Sequence, residues 1–156
     1  MLIRTLGLFI DPENYDIMAI EKWVGLASLA LFVMFVAEIL TIFNYLSNPT
    51  QEVQPGGKIL QYISIGVAPA VVLAGTTYLL SRRFGSRLIG SMIISGGAIL
   101  LGGMYVGNNM IQNIPIQYQV TEVLVTPPLF MAVSIPVMIV GGLLFRLKPK
   151  PKKIYY

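Results

Sequence analysis

Residues 23–46 read WVGLASLALFVMFVAEILTIFNYL, an apolar run in which Glu38 is the one charged residue. About 20 such residues, rising about 1.5 Å each, cross a hydrocarbon core about 30 Å thick. Glu21 and Lys22 precede the run and Ser47-Asn48-Pro49 follows it, so charge bounds one end and a turn the other. Three further runs meet the same criterion, at approximately 59–80, 88–107 and 123–145. Pro55-Gly56-Gly57-Lys58 introduces the second, and Arg82, Arg83 and Arg87 separate the second from the third. The expectation is an all-α integral membrane protein with four transmembrane helices over 23–146. A short N-terminal interfacial segment (1–22) precedes them and a basic C-terminal tail (147–156) follows.

The composition agrees with this reading. Of 156 residues, 55% are hydrophobic and only 12% charged, with a mean hydropathy of +0.73. Soluble domains carry about twice that charged fraction. The chain has no Cys and no His. It therefore lacks the usual axial haem ligands, thiolate metal ligands, the base of a Ser-His-Asp triad and a redox dithiol. The expectation is a chain that is not itself an enzyme and binds no cofactor through its own side chains, with structural lipids around it.

Lys and Arg in short loops are retained in the cytoplasm. Arg82, Arg83 and Arg87 lie between spans two and three, and Arg146, Lys148, Lys150, Lys152 and Lys153 lie in the tail, whereas the other two loops hold only Lys58. With four spans, the tail, the middle loop and the N-terminus with Arg4 and Lys22 share one side. Both termini are thus expected in the cytoplasm of a multi-pass cell-membrane protein. Met1 to Ile20 lacks the basic start and cleavage site of a signal peptide. Asp11-Pro12-Glu13 instead reads as an N-cap, a first-turn proline and an acid complementing the helix dipole, so a helix is expected to begin near Pro12 and run into the first span.

Glu38 is the acid expected deep in a span. An ionised carboxylate there costs about 2.5 to 3.5 kcal/mol on insertion scales, so it should be protonated, paired, or facing a wet or protein-filled interior. One reading is a proton or cation relay. The other is a structural carboxyl hydrogen-bonded to a neighbouring helix or a partner, with Thr41 and Asn44 nearby on its own helix. A relay needs a chain of titratable groups, and the spans offer no second acid or base near Glu38.

In the third span Ser91, Ser95, Ala98 and Gly102 recur on one helical face, and Gly96, Gly103 and Gly107 on an adjacent one. Small residues on two faces suit a central helix packed between neighbours. A pore lining would want more polar groups. Pro69 and Pro136 are expected to kink the second and fourth spans, whereas Pro127-Pro128 reads as a first-turn pair that costs no helix bond. The Pro-interrupted tail with Lys148, Lys150, Lys152 and Lys153 reads as an extended arm for anionic headgroups or an acidic partner, and Arg82, Arg83 and Arg87 read as a further lipid headgroup or partner contact. No aromatic interleaving accompanies this charge, so no nucleic-acid partner is expected. The amide-rich, nearly uncharged stretch 108–119 suits contact with another protein surface.

Val36-Ala37-Glu38-Ile39 is similar to part of the first helix of the small multidrug resistance transporters, but over those residues alone, and no family is assigned on it. The functional expectation is a non-catalytic accessory subunit of a multi-subunit membrane complex, an oxidoreductase, monooxygenase or other energy-converting enzyme whose ligands lie on other chains. Its partners would be other membrane subunits and lipids. The alternative is a small proton-coupled transporter using Glu38, with Pro69 and Pro136 bending around the site. A lipid enzyme gripping phosphate with Arg82, Arg83 and Arg87 ranks below both, because no nucleophile or base accompanies the cluster.

Overall fold

Apolar runs of this length leave their backbone no partner but itself inside a bilayer, and helices are the outcome. The computed structural model describes residues 15–82 and 87–146, and every element among them is helical. Helix α1 runs Tyr15–Ser47, α2 Pro55–Tyr62, a π-helical segment Ile63–Val67, α3 Ala68–Ser81, α4 Arg87–Met110 and α5 Thr121–Arg146. Two short 3-10 turns, Ile111–Asn113 and Ile116–Tyr118, link α4 to α5. Four stretches are long and apolar enough to cross a membrane: Ile20–Ser47, Pro55–Ser81, Arg87–Asn113 and Thr121–Arg146. The protein is a multi-pass membrane protein. The start of α1 expected near Pro12 lies outside the described residues, as do Arg4, Arg83 and the tail lysines.

Helix α1 packs against α3 on one side and α4 on the other, α4 packs against α5, and α2 and α3 close the ring against α5. The middle is aromatic and aliphatic, with Phe32, Phe35, Ile39, Phe43 and Leu46 of α1 fully buried. The rings of Phe35 and Phe130 meet edge to face, with centroids 5.0 Å apart and planes at 70°. Such a pair contributes about 0.5 to 1.5 kcal/mol beyond its area.

Between helices in lipid, close backbone approach replaces the hydrophobic drive that water supplies. Helix α4 obtains it with glycine on two sides. A Cβ at Gly96 would stand 2.8 Å from Phe32 Cδ2, and at Gly107 3.6 Å from the Phe43 ring. Val36 presses on Gly103. Toward α5, a Cβ at Gly97 would stand 2.6 Å from Met138 Cγ, and one at Gly90 2.9 Å from the carbonyl oxygen of Gly141.

The prolines do three different things. Pro69 cannot donate to the helix ladder, and its ring crowds the carbonyl four residues back. The chain widens ahead of it into the π segment, in which the Ala68 N–H reaches the Ile63 carbonyl. Gly66 in that segment admits α1 closely, since a Cβ there would be 2.9 Å from Phe35 Cβ. Pro136 sits inside an uninterrupted α5. The expectation for Pro127-Pro128 is corrected: both lie inside α5, because the helix starts at Thr121 with Glu122 in its first turn, ahead of the first apolar residues. That earlier start places the pair in the second turn, where N–H groups are normally engaged.

Glu122 also ties the loop end together. Its carboxyl packs on the opening turn of α2, 3.0 Å from where a Cβ at Gly56 would stand. Unpaired N–H groups of a first helical turn favour a carboxylate there. In the α4–α5 link, Gln119 Nε2 donates to the carbonyls of Ile114 at 2.8 Å and Ile111 at 3.3 Å.

Candidate functional site

Helix α1 carries two acids among the described side chains, and the fold treats them oppositely. Glu21, which in the sequence marks a span boundary, is 7% exposed. The Ser81 hydroxyl, at the end of α3, donates to its Oε2 at 3.3 Å. About two turns further along α1, the Ser28 hydroxyl donates to the Ala70 carbonyl at 2.8 Å. These two contacts fasten α1 to α3 from near the chain-terminal end towards mid-span. The sequence signal for Glu21 was weak, because Lys22 beside it suggests a solvated pair and Ser81 is sixty residues away.

Glu38 is half-buried, its Oε2 is fully buried, and among the described residues it is the one buried side-chain polar atom with no hydrogen-bond partner. The local partner suggested by spacing is otherwise engaged, since the Thr41 hydroxyl donates to the Ala37 carbonyl at 2.6 Å. Asn44 is exposed near the loop end. Glu38 follows Val36 by two residues, about 200° around the helix, so it points away from α4, which Val36 meets. It follows Phe35 by three, which sets it on the outer flank of the contact between α1 and the π segment.

The hydroxyls on exposed positions of the spans behave differently. Ser64, Thr76, Ser91 and Ser95 each donate to a carbonyl three or four residues back in their own span, those of Leu60, Val72, Leu88 and Ser91. Their hydrogen-bonding needs are met without any neighbour. The stripe Ser91, Ser95, Ala98 and Gly102 is exposed on α4, and a Cβ at Gly102 would meet nothing within 4 Å. The buried small residues of α4 are Gly90, Gly96, Gly97 and Gly107, with Gly103 half-buried. Gly90 and Gly97 escaped the sequence reading, although their spacing of seven puts them on one stripe.

Arg82 and Arg87 are both exposed where α3 ends and α4 begins, while Arg83, Lys148, Lys150, Lys152 and Lys153 lie outside the described residues. At the opposite end a hollow of about 410 Å³ opens between the two loops, lined by Glu52, Val53, Gln54, Gln117 and Tyr118. Glu38 is not among its walls. In the same loop region Ile114 is buried while Ile116 is 88% exposed. No group of three or more His, Cys, Asp and Glu comes together among the described residues. No family model, curated protein or solved structure matches the chain.

Proposed function

We propose that this chain is a non-catalytic accessory subunit of a larger membrane complex, in the cell membrane with both termini cytoplasmic. The complex would be an oxidoreductase, monooxygenase or other energy-converting enzyme, with catalytic ligands on other chains. The observation that carries the reading is the Glu38 carboxyl, half-exposed on a flank of α1 and without a hydrogen-bond partner among the described residues, its Oε2 covered by the chain itself. Leaving a buried acceptor unsatisfied costs about 1 to 3 kcal/mol, more if it is charged, and hydrocarbon offers nothing to offset that cost. A neighbouring subunit would supply a bond to the half-exposed side of this carboxyl, as membrane helices commonly hydrogen-bond across their contacts.

The absence of His and Cys supports the non-catalytic part of the reading, since the common redox ligands would have to come from elsewhere. The orientation rests on the excess of Arg and Lys between spans two and three and in the tail. A proton-coupled transporter would instead want Glu38 at a wet vestibule between the Pro69 and Pro136 spans. The test is purification of the tagged chain from its native membranes in mild detergent. A partner recovered in fixed stoichiometry, with a native mass well above 17.1 kDa plus detergent, is the expected result. A monodisperse monomer at native abundance, with no companion chain, would end the proposal.

A further inference from the structure

Ala27, Leu31, Met34, Glu38, Thr41 and Tyr45 recur along α1 at alternating steps of four and three residues, so they form a straight stripe on its surface. All six are exposed or half-buried. The stripe follows the flank of α1 that faces away from α4, beside the contact with the π segment. A spacing of three and four residues is the seam on which a second helix lies at a crossing of about 20°, and a single polar residue in such a seam sets the register of the pair.

We infer that this stripe is the docking seam for a transmembrane helix of a different chain, which brings a side-chain N–H donor (Lys, Arg, Asn or Gln) opposite Glu38. The inference rests on the subunit reading above and names the surface and the chemistry of the partner. Charge complementarity selects the occupant. Glu38 Oε2 is covered by the chain itself, while the half-exposed remainder of the carboxyl lies on the stripe with no hydrogen bond, and inside a bilayer a donor carried by protein meets that need without water. Lipid tails supply none. A second copy, seam to seam and parallel, would set Glu38 against Glu38, where two ionised carboxylates repel and a pair forms only if one of them takes up a proton. The exposed face of α4 makes no comparable demand, because its serine hydroxyls are already bonded to their own backbone.

The experiment compares Glu38→Gln, Glu38→Leu and Ser95→Leu in the full chain in its native membranes, reading the ratio of assembled to free chain on native gels. Glu38→Leu should lower that ratio about tenfold or more, the loss expected for one buried charge-assisted hydrogen bond. Glu38→Gln, which keeps an acceptor, should lower it less, and Ser95→Leu should leave it unchanged. In parallel, an apolar carbodiimide should modify Glu38 in the isolated chain and be blocked in the assembled one, a readout that needs no variant to fold.

An unchanged ratio with Glu38→Leu, equal modification in both states, or an equal loss with Ser95→Leu overturns the seam. So does a disulfide between two copies through Met34→Cys, which the absence of native cysteine makes easy to score. A chain that runs in a complex while Glu38 proves irrelevant defeats only the seam, whereas a chain found solely as a monomer defeats the subunit reading.

Discussion

Two faces of one helix separate what this fold has settled from what it leaves open. On its packed faces α4 presents Gly90, Gly96, Gly97, Gly103 and Gly107, each filled by a neighbour, whereas its outer face presents Ser91, Ser95, Ala98 and Gly102, which the other spans leave exposed. Both sets are small, and both repeat at helical spacing. The difference is that backbone and side chains of α1 and α5 already occupy the first set, while the second satisfies its polar groups internally and tolerates any apolar neighbour. Small residues in a membrane helix therefore mark places where contact is permitted, and the facing surface decides whether contact is made.

The most damaging test of the comparison should be at the α4–α5 contact, where backbone meets backbone. A Cβ at Gly141 would stand 2.9 Å from the Ile94 nitrogen and 3.0 Å from the Gly90 carbonyl oxygen. No rotamer change relieves a clash with main chain, so Gly141→Leu must push the helices apart. A loss of about 3 kcal/mol or more is expected, at the upper end of overpacking costs. Thermal unfolding of the detergent-solubilised chain, followed through its single tryptophan, would measure it. An unchanged midpoint would mean that α4 and α5 are not held this closely.

At the α1–α4 contact the obstacle is a side chain, and side chains can move. Phe32 and Val36 cover Gly96 and Gly103. Gly103→Leu should therefore cost less than Gly141→Leu, about 1 to 3 kcal/mol. Measuring both variants in one detergent checks the order, and a reversed order would place the tighter seam between α1 and α4. Gly107→Ala should have the opposite sign. Its added Cβ would lie in ordinary contact, 3.6 Å from the Phe43 ring, while an alanine gains up to about 1 kcal/mol over glycine within a helix. A raised unfolding midpoint is expected, and a lowered one would show that this end of the seam is fuller than its geometry.

Hydropathy made the number of spans legible, because a run such as 59–80 has few soluble alternatives. Depth along the chain likewise singled out Glu38. Three features were hidden because each depends on what lies across the bundle. The burial of Glu21 needs Ser81 of another span. The used faces of α4 are indistinguishable by residue size from the unused one. The π segment is one of several responses to a proline at 69, and Gly66 against Phe35 gives this one room. The position of Pro127 and Pro128 was hidden for a local reason, since the polar Thr121 and Glu122 conceal where α5 begins.

The smallest effect is expected on the open face, where it is the most informative about the surroundings. Ser95 is exposed and its hydroxyl donates to the Ser91 carbonyl at 2.7 Å. Ser95→Leu removes that bond, but the carbonyl keeps its place in the helix ladder and the new side chain adds apolar surface where lipid tails can meet it. The two terms are each small and opposed, so the unfolding midpoint of the isolated chain should move by no more than about 0.5 kcal/mol in either direction. Lipid contact at this face predicts the same indifference in native membranes. If Ser95→Leu left the isolated chain untouched and yet broke up its assembly, the small side chain would be holding space for another helix. The outer face of α4 would then be as occupied as the inner ones, with its occupant on a different chain.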